Sequence, residues 1–184
     1  MTTLLILLGI AAVVLFYFVG IYNKLVRKRS MMEEGWSGID VQLKKRYNLI
    51  PNLVETVKGY ATHEKETLNQ VIQARNSALN AEGVKAQTSA EKNLNSALAN
   101  VFALSEAYPD LKANTNFLQL QNELSSIEGD IEKARRYYNA TVRDNNIAVE
   151  SFPSNIVAGI GNFELGEFFE IEVETERANP EVKF

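Results

Sequence analysis

Residues 117–141 read FLQLQNELSSIEGDIEKARRYYNAT. Within them Phe117, Leu120, Leu124, Ile127, Ile131, Ala134, Tyr138 and Thr141 recur at steps of 3, 4, 3, 4, 3, 4 and 3. This is a heptad seam, and a sustained seam predicts a long helix packed in left-handed bundle geometry. Working outward, three further stretches carry one apolar stripe each. Met32, Trp36, Ile39, Leu43 and Tyr47 form the first. Leu53, Val54, Val57, Tyr60, Ala61, Leu68, Val71, Ile72 and Leu79 form the second, and Leu94, Leu98, Val101, Leu104 and Tyr108 the third. Prolines and glycines punctuate them. Tyr47-Asn48-Leu49-Ile50-Pro51 predicts a corner, with Pro51 in the first turn of the next helix. Gly83 predicts a helix stop, and Thr88-Ser-Ala-Glu91 a capping box. Pro109 ends the third helix. Short connections make sequential helices antiparallel. The expected architecture is all-α: an antiparallel four-helix bundle over residues 24–149.

Residues 1–23 are different. Leu4–Tyr22 contains no charged side chain. At a rise of about 1.5 Å per residue, such a helix matches the roughly 30 Å hydrocarbon core of a bilayer. Met1–Thr3 has no basic residue and no small-residue exit follows the run, so a cleaved signal peptide fits poorly. Lys24, Arg27, Lys28 and Arg29 follow it directly. The positive-inside rule then places the N-terminus outside and the bundle in the cytoplasm, with a single pass and the lipid bilayer as first partner.

Residues 150–184 form an acidic tail: eight glutamates stand against Arg177 and Lys183. The tail is expected to be extended. Its apolar residues and the alternating Phe169-Glu-Ile-Glu-Val-Glu174 leave open a tail packed along its own bundle or partly disordered, or one that pairs with a second copy or a partner edge, hence a homo-oligomer.

Composition excludes several chemistries. The chain of 184 residues has no cysteine, one histidine and a net charge of −4. Disulfides and thiolate metal sites are ruled out, and no basic surplus drives nucleic-acid binding. His63-Glu64 opens a zincin motif, but position 67 is Thr. Gly35-Trp-Ser37-Gly38 lacks the final glycine of a nucleophile elbow, and Gly159-Ile-Gly161 has Glu164 where a dinucleotide fingerprint needs glycine. No catalytic residue, metal ligand or cofactor is expected. Asp40 lies beside the stripe of Trp36 and Ile39, and is read as a polar clamp for a basic residue such as Arg46, Arg75, Arg135 or Arg136.

Several segments resemble the signature of the LemA family. They are Trp36-Ser-Gly-Ile-Asp40-Val-Gln42-Leu-Lys-Lys-Arg46, Asn48-Leu-Ile-Pro51-Asn52-Leu-Val54, and Val57-Lys-Gly-Tyr60-Ala61 with His63-Glu64. Glu106-Ala-Tyr108-Pro109 through Asn114, Arg136-Tyr-Tyr138-Asn139 and Phe152-Pro153-Ser-Asn155 extend it. The resemblance implies a bacterial inner-membrane protein with one N-terminal span and a cytoplasmic helical bundle. It supplies no reaction, and its gene neighbourhoods point to envelope membrane proteins as partners. These readings together favour a non-enzymatic, self-associating scaffold. The competing reading is a regulatory partner of a membrane protease or sensor kinase acting through helix contacts.

Overall fold

The residues of the heptad seam lie within one long helix, but the elements around it break at other places. The computed structural model describes residues 1–170. Its helices are α1 (Thr2–Lys58), α2 (Lys65–Leu79), α3 (Val84–Ser105), α4 (Pro109–Lys112), α5 (Thr115–Glu150) and α6 (Ser154–Ile160). Helix accounts for 83% of the described residues, with no strand among them.

The expected corner at Tyr47–Pro51 is absent: α1 runs through Pro51 without ending. Proline has no N–H, so the carbonyl four residues earlier loses its intrahelical donor. That carbonyl belongs to Tyr47, and the Arg75 Nε donates to it at 2.8 Å. The proline defect is thus filled by a guanidinium from α2. The turn comes instead at Gly59–Glu64, where the Tyr60 and Ala61 N–H groups close back on the Val57 carbonyl at 3.0 and 2.9 Å. The single helix expected from Pro51 to Asn80 is therefore split. Likewise α3 begins at Val84, before the expected Thr88. Gly83, with φ of +81°, is its N-cap residue and takes a backbone conformation that side chains disfavour.

Two compact units emerge. One comprises residues 44–128 with 169–170, and the other residues 1–43 and 129–168. In the first, Ile50, Leu53, Val57, Val71, Leu94, Val101, Leu111 and Phe117 are buried at 1% exposure or less. Asn114 opens α5: its Oδ1 accepts the Phe117 N–H at 2.9 Å, and its Nδ2 donates to the Tyr60 hydroxyl at 2.8 Å.

In the second unit, contacts descend α5 as they ascend α1. Lys28 meets Asp144, Gly35 meets Thr141 and Tyr138, and the Trp36 ring lies 5.4 Å from that of Tyr138. A β-carbon on Gly35 would sit 3.2 Å from the Tyr138 backbone, so the absence of a side chain there permits the close approach. The tail is not extended throughout. Residues 154–160 form α6, whose Val157 and Ala158 join Leu25, Ala148 and Phe163 in a small core flanked by Phe18, Ile21, Val26 and Val149. Beyond it, the chain is strapped to α5. The Asn146 amide donates to the Gly166 carbonyl at 3.0 Å and accepts the Gly166 N–H at 2.7 Å. Asn145 Nδ2 donates to the Glu164 carbonyl at 3.1 Å, and the Tyr138 hydroxyl to the Glu167 carbonyl at 2.8 Å. Most of the alternating segment 169–174 lies outside the described residues, and Phe169 and Glu170 are not in a strand.

Candidate functional site

The apolar stripe of α1 steps through Ile39, Leu43, Ile50, Leu53 and Val57, but one position on it is Arg46. The stripe of α3 steps through Leu94, Leu98 and Val101, and continues backward to Glu91 and Gln87. Charged residues on buried stripes must find partners or incur a large desolvation cost. They find each other. Arg46 Nη2 forms an ion pair with Glu91, and Arg46 is 1% and Glu91 0% exposed. Arg46 Nη1 donates to Glu128 on α5 and, at 2.8 Å, to Asn95 Oδ1 on α3. The Tyr47 hydroxyl donates to Glu91, and Gln87 Nε2 reaches the Tyr47 hydroxyl at 2.8 Å and Glu91 at 2.9 Å. One guanidinium thus ties α1 to α3 and to the start of α5. A shallow groove of about 450 Å³, lined by Asn95, Phe102, Gln121, Ser125 and Glu128, opens beside it.

This arrangement is suited to holding helices in register. Arg46 pairs with Glu91 and Glu128, and its Nε is buried without a hydrogen-bond partner. Glu91, expected to cap α3, instead lies about two turns inside it, while Thr88 Oγ1 donates to the Val84 carbonyl at 2.8 Å. No group of three or more metal-binding side chains occurs among the described residues.

The residues singled out in the sequence fall into separate places. Arg46 belongs to the buried cluster. Of the other basic residues considered for Asp40, Arg75 bonds the Tyr47 carbonyl and Arg136 pairs with Glu132 at 3.6 Å. Asp40 and Asn139 are half-buried and engaged, and Gln42 is half-buried with its Oε1 enclosed. Asn48, Pro51, Asn52 and His63 are exposed. Tyr60, Glu64, Tyr108 and Pro109 come together at the two turns. Glu64 accepts from the Tyr108 hydroxyl at 3.1 Å, Tyr60 accepts from Asn114, and Pro109 starts α4. Removal from water, and then Glu64, raise the Tyr108 hydroxyl pKa above its usual value. The Trp36 and Tyr138 rings pack against each other at a tilt of 58°, and burial followed by Glu167 raises the Tyr138 pKa. Phe152 is 82% exposed, and Pro153 precedes α6.

Sequence reading missed Glu91, Gln87, Glu128, Asn95, Asn145 and Asn146. A usable signal existed for three of them. Gln87, Glu91 and Asn145 each occupy a stripe position otherwise held by apolar residues, and each is buried.

At the N-terminus, α1 carries an 18-residue window of mean hydropathy 2.9, none of it buried. It is one helix long and apolar enough to cross a membrane.

Comparison with known proteins agrees with the quoted motifs. The LemA family model matches residues 35–184. Protein LemA of Metamycoplasma hominis is 28% identical, over 92% of this chain and 82% of its own length. Magnetosome protein MamQ 2 of Paramagnetospirillum magneticum is 23% identical over 81% of this chain. Magnetosome protein MamQ of Magnetospirillum gryphiswaldense is 22% identical over 80% of it. This chain spans 64% of the length of each of these two MamQ proteins. With the family model covering most of its residues, the chain belongs to the LemA family.

Proposed function

We propose that this chain is a membrane-anchored, non-enzymatic scaffold. Residues 1–23 are the anchor, residues 24–149 an antiparallel helical bundle on the cytoplasmic face of a bacterial inner membrane, and residues 150–184 a tail through which copies associate. One observation carries the reading. The uncharged stretch of α1, with an 18-residue window none of which is buried, continues without a break into a helical body in which the buried Arg46 and Glu91 pair with each other. A body built this way offers surfaces rather than a reaction centre. The family description and the relatives' names support it to the extent that none of them names a reaction.

The test is the mass of detergent-solubilised protein by light scattering, for the full chain and for a form lacking residues 171–184. That truncation removes none of the described residues. An assembly larger than one chain that falls in size on truncation is the expected result. Equal masses would remove residues 171–184 from self-association. A single copy in both forms, purifying with one stoichiometric membrane protease or sensor kinase, would replace the scaffold by the regulatory reading.

A further inference from the structure

From Ser151 to Phe163 the chain carries no charged residue, although Glu150 and Glu164 bracket it. The middle of this stretch is α6, which has two faces. Val157 and Ala158 are 3% and 2% exposed, and pack with Phe18, Ile21 and Leu25 of α1. Ile156 and Ile160, one turn apart on the other side, are 55% and 71% exposed, and Phe152 just before them is 82% exposed. Three large apolar side chains thus point away from the protein.

Their height along α1 identifies what surrounds them. Phe18 and Ile21 belong to the last turn of the uncharged run Leu4–Tyr22. An element packed against those two residues lies at the level where α1 leaves the hydrocarbon. Tyr22 is there as well, its ring 5.4 Å from that of Phe163, and the Arg29 guanidinium lies 5.2 Å from the Phe163 ring centre on the basic side. Tyrosine at the boundary with basic groups beyond it is the pattern of a membrane–water interface. The backbone is prepared for a drier setting too. The Asn155, Ile156, Gly161 and Phe163 N–H groups bond to the carbonyls of Ser151, Pro153, Val157 and Ala158 at 2.8–3.2 Å. The Ser154 hydroxyl donates to the Ser151 carbonyl at 2.9 Å. Groups satisfied within the segment can leave water at little cost.

We infer that α6 and Phe152 form a second membrane contact, lying in the lipid interface beside the base of α1, with Phe152, Ile156 and Ile160 in the acyl-chain boundary. The inference rests on α1 crossing the bilayer. It makes the tail return to the membrane and fixes the base of the span at two points. Apolar faces of interfacial helices sink about 5–10 Å below the headgroup level.

The chain has no cysteine, so each introduced thiol is unique. Full-length protein carrying Ile160→Cys, Phe152→Cys, Val14→Cys or Ser126→Cys is labelled with an environment-sensitive fluorophore. It is then reconstituted in phosphatidylcholine–phosphatidylglycerol vesicles containing spin-labelled lipid. The expected result is that the labels at 160, 152 and 14 lose most of their fluorescence, while the label at 126 keeps its own. A quenched label at 14 with unquenched labels at 152 and 160 overturns the inference and leaves the span intact. Blue-shifted but unquenched labels at 152 and 160 mean that protein, such as a second copy, covers the face, which also overturns it. An unquenched label at 14 overturns the span, and α6 as a lipid contact with it.

Discussion

Two of the ion pairs that link distant parts of this chain differ sharply in their surroundings. Lys28 and Asp144 meet at 2.8 Å with side chains 25% and 45% exposed. Arg46 and Glu91 pair with side chains 2% and 0% exposed. At the surface, water already satisfies both ions, so a pair adds little and salt screens it. In the interior, Glu91 relies on Arg46 as its counter-ion, and Arg46 also reaches Glu128. A buried pair is a poor source of net stability, but removing one partner leaves an uncompensated charge. The difference teaches where losing one charge should matter most: inside residues 44–128, where α1, α3 and α5 meet at Arg46, and not at the basic residues that follow the uncharged run.

Arg46→Met sharpens that comparison with the largest effect. It strands Glu91 and is expected to cost about 3–5 kcal/mol, read from denaturant unfolding of the detergent-solubilised chain by its helical signal. Arg46→Met combined with Glu91→Leu should recover most of the loss, because no charge is then left buried. A single substitution as mild as the double one would show that the pair is wetter than its burial implies.

Asn146→Ala comes next. It removes both hydrogen bonds that hold Gly166 to α5 and should cost about 1–3 kcal/mol. Limited proteolysis should cut the chain after residue 160 faster, while helices α2 and α3 stay protected. Uniform loss of protection would mean that the strap and the helical body unfold together.

The smallest effect belongs to Asp144→Asn. Hydrogen bonding and charge attraction from Lys28 hold the Asp144 carboxyl below its ordinary value. A carboxylate whose pKa is lower in the folded state adds stability above its unfolded pKa and loses it as pH falls through the folded one. The difference in melting temperature between wild type and Asp144→Asn should therefore be small at pH 7. It should vanish in strong acid and shrink in high salt. A difference that grew on acidification would reverse the assignment.

Much of the architecture was legible because it is periodic. The seam from Phe117 to Thr141 marks α5, and the uncharged run to Tyr22 marks the start of α1. The turn after Val57 was not legible, because Pro51 reads as a breaker unless Arg75, far along the chain, is known to fill the vacant carbonyl. Glu91 was misread for a related reason. A Thr-x-x-Glu spacing satisfies a local rule, whereas the buried role depends on Arg46 from another helix. Local patterns locate helices, but only tertiary partners decide whether a proline ends one or a glutamate caps one. The tail was legible in composition alone. Its division into α6 and the strap follows from Asn145, Asn146 and the core around Leu25, which no periodicity encodes.

The most direct test of the anchored-scaffold account is membrane extraction combined with protease access. Cell membranes holding the full chain are washed with alkaline carbonate, and inverted vesicles are then treated with protease. The account predicts that the chain stays in the washed membrane and that its helical body is digested in inverted vesicles but protected in right-side-out ones. Release of the chain by the wash, or digestion from the opposite face, would contradict it.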